Sequence, residues 1–212
     1  MQINNKLTRN DHSFIMNDMR TKNEQRPREI IDVVAHMVIE EGISSIAMAK
    51  VAKRTGISQS NIYLYFKNKD DLLKQVFLAQ KNSVNDYMNA HFTEQPDVVA
   101  NMKLYARIIY QFAIENPVAM DVITQYENSP IFGQIDISAE EAEMDFDRVT
   151  VLVKQGMKDG IIRDTDPYVL MAIAYDTLVR YAQSVRNKTV DPIRVPLETI
   201  LDMLEGAWRV LK

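Results

Sequence analysis

The tripeptide Gly56-Ile57-Ser58 leaves the chain few choices between Ile46 and Leu73. Met48, Val51 and Ala52 stand at helical spacing in A-M-A-K-V-A-K-R-T, and Gly56 follows where a helix end needs a left-handed residue. Ser58 then predicts an N-cap whose hydroxyl accepts from the backbone near Asn61, so a second short helix starts almost at once. Ile57 enters the apolar side of the turn, and Ile62 and Phe66 continue that side along Q-S-N-I-Y-L-Y-F. The two helices must cross sharply. Asn68 predicts the N-cap of a further helix, with Asp70 and Asp71 in its first turn, where carboxylates suit the dipole.

Two readings fit this segment. One is a plain helical hairpin with a solvated face. The other is a helix-turn-helix whose free face enters a groove of duplex DNA. Gln59, Ser60, Asn61 and Tyr63 lie on or beside that face: Gln and Asn pair with adenine edges, Ser donates or accepts, and a Tyr hydroxyl reaches phosphate while its ring meets a thymine methyl or sugar. Lys69 stands at a helix start beside free backbone N–H groups, a better phosphate anchor than Lys50 or Lys53.

The stretch from Ile30 to Leu73 resembles the DNA-binding domain of the TetR family of bacterial transcriptional regulators. The residues that carry the resemblance are I-I-D-V-V-A-H-M-V-I-E-E-G-I, V-A-K-R-T-G-I-S and I-Y-L-Y-F-K-N-K-D-D-L-L, with Tyr63, Tyr65, Phe66, Lys69 and Leu72 the most specific. The candidate DNA contacts are therefore Ser58, Gln59, Ser60, Asn61, Tyr63, Tyr65 and Lys69. Two positions depart from the family pattern. Ile46 and Ala47 stand where the family usually has Thr or Thr-Ser to cap the second helix and meet a phosphate, with Ser44 or Ser45 as substitutes; Ser60 replaces a very small residue, often Gly.

The rest of the chain reads as helix after helix, about nine in all. Pro27 suits a first turn, and Ile30, Ile31, Val34, Ala35 and Val38 form the stripe of a helix ending at Gly42. Helix five covers about 97–115, Asn116-Pro117 caps the sixth, Ser138 to Glu141 form a capping box for the seventh, and Asp166-Pro167 opens the eighth. The fold class is all-α. Residues 1–25 read as a flexible basic arm, either solvated or tracking DNA; residues 26–73 as a three-helix helix-turn-helix head; residues 74–212 as a helical ligand-binding and dimerisation body. The last two helices carry wide apolar faces, and the resemblance implies a homodimer through them.

Charge agrees with that division. The chain's net charge is -4, but residues 1–80 hold 12 Lys+Arg against 9 Asp+Glu, and residues 81–212 hold 13 against 20. A positive head on an acidic body meets DNA at one end, with salt-dependent affinity. With 212 residues and 46% hydrophobic composition a sizeable core can form, and without cysteine there is no disulfide or thiolate chemistry. No apolar run reaches the ~18 residues of a membrane span, and a cytoplasmic location is expected.

For the body, the resemblance places a pocket among helices four to eight. Tyr105, Phe112, Phe146, Asp176 and Tyr181 are its candidates, and aromatic plus acidic walls suit an aromatic or lipophilic cation. Packing explains the aromatics equally well, and an ion pair with Arg180, four residues on, explains Asp176. Enzymatic motifs are absent: His12, His36 and His91 lack metal-ligand spacing, and the acidic run from Glu140 to Asp147 reads more simply as a solvated helix start than as a carboxylate metal site. No cofactor is expected. The function read from the sequence is a ligand-responsive DNA-binding regulator, a repressor that reads a palindrome as a homodimer and is released by a small-molecule inducer. Its competitor is a helical small-molecule-binding or scaffolding protein without specific DNA binding.

Overall fold

The computed structural model describes the backbone of residues 9–138, 141 and 147–210, with side chains from Gln25 onward apart from Asp147. Among these residues the fold is all-helical, joined by short turns. The chain divides into two compact units, residues 1–76 and 77–212.

In the first unit α1 runs Arg9–Glu41, α2 Met48–Thr55 and α3 Gln59–Ile62, with a short 3-10 turn at Ile43–Ser45. Helix α1 starts at Arg9, within the stretch read as a flexible arm, and Pro27 lies inside it instead of opening it. No glycine or proline stands between Arg9 and Arg26 to stop a helix, and Pro27 removes only one hydrogen bond. Beyond Pro27, Ile30, Val34, Ala35, Met37 and Val38 are buried, and α1 packs on α2 as α2 packs on α3. His36, on the same helix, is exposed. Gly56 ends α2 at φ 69, a conformation that disfavours side chains, and Ile57 N–H donates to the Ala52 carbonyl at 3.2 Å.

The fourth helix, α4 (Lys69–His91), crosses the boundary between the units. In the second unit α5 (Val98–Glu115) is followed by α6 (Pro117–Glu127), a 3-10 turn at Phe132–Gln134, α7 (Asp147–Lys158), α8 (Pro167–Arg186) and α9 (Leu197–Trp208). Helix α5 is central: it packs most extensively on α8 and also on α6, α7 and α9. Its composition explains this, because Val99, Met102, Tyr105, Ala106, Ile108, Ile109, Phe112 and Ala113 bury more than one face.

Local chemistry sets the starts of these helices. Asp97 accepts from Val99 N–H at 3.1 Å, and Asp166 accepts from Tyr168 N–H at 2.8 Å with Pro167 in the first turn. Ser138 and Glu141 exchange reciprocal bonds of 2.9 and 3.1 Å, the capping box expected there. Asn116 precedes α6 without a side-chain cap. Gly156 on α7 permits close packing, since a Cβ there would stand 2.8 Å from Ile162 and 3.0 Å from Val98. A single antiparallel bridge, Ile162 to Arg209, ties the turn after α7 to the end of α9.

Candidate nucleic-acid interface

Helix α3 is short and its start is chemically defined. Ser58 Oγ accepts from Asn61 N–H at 3.2 Å and lies 2.8 Å from Ser60 Oγ. Ile62 and Phe66 are buried beneath it, whereas Ser58, Gln59, Ser60 and Asn61 are exposed. After Ile62 the backbone tightens, with Leu64 N–H donating to Asn61 and Tyr65 N–H to Ile62. Tyr63 and Tyr65 therefore sit in turns that follow α3. Gln59 Nε2 donates to Tyr63 Oη at 3.4 Å, so two of the expected contacts come together on one edge.

The basic side chains of the head divide clearly. Lys50 pairs with Glu41 at 3.0 Å and Arg54 pairs with Glu40, so both cations are neutralised by α1. Among the described residues the side chains of Lys53, Lys67 and Lys69 have no carboxylate partner. Lys69 opens α4, whose cap is formed by Asn68 Oδ1 accepting from Asp71 N–H at 2.8 Å, while Asp71 accepts from Lys67 N–H at 2.7 Å. The expected hydroxyl cap of α2 is not made. Ala47 precedes α2 without a side-chain bond, Ile46 is buried, and Ser45 Oγ donates to the Gly42 carbonyl at 2.8 Å. Sequence reasoning missed Leu64, which is 76% exposed beside the 46% exposed Tyr63. A leucine left open on a polar tip is the available signal, but helical periodicity hides it because Leu64 belongs to a turn.

The body candidates are not gathered into one site. Tyr105 is buried and shares a small cavity with Met102, Met171 and Trp208. Phe112 packs edge-on against Tyr87 at 5.3 Å between centroids. Tyr181 stacks on Tyr110, and its hydroxyl donates to the Val195 carbonyl at 2.5 Å, a structural task. Phe146 lies outside the described residues. Asp176 is exposed, and no ion pair with Arg180 forms, contrary to the simpler explanation of its presence. Its charge acts on Glu127 at the end of α6. Glu127 is exposed as a residue, yet its carboxyl is pushed up to about 7, first by local burial and then by the Asp176 charge.

That shift has a testable consequence. A carboxyl whose pKa is raised on folding keeps its proton where the unfolded chain has lost it, so its contribution to stability falls as pH rises from 4.5 towards about 7. Glu127→Gln is expected to raise the melting temperature by about 2 °C at pH 8 and by little or nothing at pH 4.5. Thermal unfolding at the two pH values checks this.

The capped, exposed α3 over a buried Ile62–Phe66 face defines a helix-turn-helix DNA-binding protein. The comparisons specify the family. Residues 30–76 match the family model "Bacterial regulatory proteins, tetR family", and residues 102–212 match "Tetracyclin repressor-like, C-terminal domain". The chain belongs to the TetR family of transcriptional regulators. It is 25% identical over 194 residues to an HTH-type transcriptional regulator of Haemophilus influenzae, covering 92% of this chain and 100% of the relative. A TetR family transcription regulator from Marinobacter aquaeolei superposes with a TM-score of 0.76 at 18% identity, over 91% of this chain and 100% of that one. The regulator FadR of Bacillus subtilis, solved in complex with stearoyl-CoA, superposes with a TM-score of 0.66 at 19% identity, over 85% and 98% of the two chains. These relatives are regulators, and none is named as an enzyme. Among the described residues no helix is long and apolar enough to cross a membrane.

Proposed function

We propose that the protein is a homodimeric repressor that reads a palindromic operator and is released by a small molecule. The observation that carries the reading is the exposed row Gln59, Ser60, Asn61 and Tyr63 on a Ser58-capped helix whose other face is buried. Residues 26–73 form the DNA-binding domain and residues 74–212 the ligand-binding and dimerisation domain. Gln59 and Asn61 read base edges, Ser58, Ser60 and Tyr65 fix the register on the backbone, Tyr63 and Leu64 meet sugar or thymine methyl, and Lys69 holds a phosphate. One α3 reads only a few base pairs, so two copies are needed, one in each successive major groove.

Control follows from that requirement. A ligand that binds better to a body conformation with the wrong head separation weakens both half-site contacts together; a ~1000-fold preference is worth ~4 kcal/mol. The stearoyl-CoA complex of the FadR neighbour supports a ligand in a helical body of this kind. Here Tyr105, Phe112, Phe146, Asp176 and Tyr181 are the proposed ligand contacts, and the small cavity beside Tyr105, lined by Met102, Met171 and Trp208, is the proposed chamber, which a ligand must widen to enter. The Glu127–Asp176 edge suits a lipophilic cation.

Substitution separates the two kinds of DNA contact. Asn61→Ala is expected to lose about 10-fold or more on the operator and little on random duplex, while Lys69→Ala weakens both and reduces the salt slope by about one. Titrations of operator and random DNA across a salt series measure both. Equal losses on the two DNAs for Asn61→Ala contradict base reading by α3.

A further inference from the structure

A second site stands apart from the Tyr105 chamber. Residues of α4, α5 and the first turn of α9 enclose an open groove of about 370 Å³, within the range of small-molecule sites. Leu104, Ile108 and Leu197 give it an apolar surface. Tyr87 and His91, stacked at 4.1 Å between ring centroids, add an aromatic wall. Arg107 is the lining residue with a fixed charge, Gln111 adds an amide, and no carboxylate lines the groove.

The neighbouring acids are already engaged. Glu115 accepts from Tyr87 Oη at 2.7 Å and from Gln111 Nε2 at 2.6 Å, and these bonds hold its carboxyl below the usual range. His91 Nδ1–H donates to the Tyr87 carbonyl at 2.8 Å, which leaves Nε2 for a partner from outside. Glu198, in the first turn of α9, pairs with Arg107. An apolar surface, an aromatic wall and one exchangeable guanidinium match a molecule with an apolar body and a single negative end.

We propose that this groove binds a small amphipathic carboxylate, with its chain against Leu104, Ile108 and Leu197 and its carboxylate on Arg107. Arginine binds carboxylates as a planar fork, so the ligand takes the guanidinium from Glu198. Only the first turn of α9 is released by that exchange. Lys103 still ties the later turns to α5, through Asp202 at 3.0 Å and Glu205 at 2.5 Å. Occupancy of the groove thus reaches one of the two helices assigned to the subunit contact; this last step rests on the regulator reading.

The test uses the full chain without DNA, with octanoate and its uncharged analogue octanamide as probes, read by calorimetry and by methyl NMR of Leu104, Ile108 and Leu197. Octanoate is expected to bind about 10-fold tighter than octanamide and to shift those methyls. Arg107→Gln removes the difference, whereas Glu198→Gln, which removes the competing carboxylate, tightens octanoate about 3-fold. Equal affinity for acid and amide overturns the proposal, as does the absence of saturation at concentrations on the order of 10 mM. Shifts confined to the Tyr105 chamber, or methyl shifts that follow protein concentration instead of ligand, overturn it by giving the groove another role. Failure to find an operator leaves octanoate binding intact. Octanoate binding that changes neither dimer nor operator affinity eliminates the link to α9.

Discussion

A chain carrying Asp at both Ile173 and Met203 is expected to sediment as a monomer and to lose between about 10²- and 10⁴-fold in operator affinity. Ile173 on α8 is 44% exposed and Met203 on α9 is 65% exposed, and Tyr168 and Val169 add open apolar surface near the start of α8. These side chains lie on two helices that pack against each other and bury their opposite faces through Leu170, Ala174, Leu178, Leu201 and Leu204. In the proposed homodimer this open apolar surface is where the two copies meet. The loss is large because a dimer binds its second half-site at high effective concentration, which a monomer forfeits. Both substitutions lie at exposed positions, so unfolding is not the expected route. Sedimentation velocity and operator titration check the two halves of the expectation, and a dimer with unchanged affinity contradicts it.

Trp208→Ala is expected to cost about 3–5 kcal/mol of stability and to lower the melting temperature by about 10 °C. Trp208 is almost completely buried at the end of α9. Its carbonyl accepts from Arg163 N–H at 2.8 Å, next to the Ile162–Arg209 bridge that holds the end of α9 to the turn after α7. Removing the indole leaves a void next to the small cavity that Trp208 already shares with Tyr105, Met102 and Met171. The methionines are flexible enough to recover part of it. Chemical denaturation of both proteins measures the loss, and a difference below about 1 kcal/mol contradicts the packing account.

What could be read from the sequence was local. Ser58, Asn68, Asp166 and the Ser138–Glu141 pair act on backbone groups within a few residues, so their caps follow from spacing alone. Gly56 is legible for the same reason. Which of two nearby partners a side chain takes was hidden. Ser45 could cap α2 by position, but its hydroxyl donates to Gly42, and Asp176 lies at the right spacing for Arg180 without pairing to it. The start of α1 was hidden differently: residues 9–26 lack the apolar period that announces a packed helix. The groove on α4, α5 and α9 draws Tyr87, Arg107 and Leu197 from widely separated segments, and no pattern along the chain brings them together.

The central claim is that α3 reads a sequence. Selection of bound duplexes from a random pool, followed by titration of the winner and of scrambled DNA over a salt series, tests it most directly. The expected result is an enriched palindrome whose half-sites lie one helical turn apart, bound at least about 1000-fold tighter than scrambled DNA and with a steep salt slope. No enrichment, with the ligand-free and ligand-loaded protein both binding every duplex alike, would contradict it.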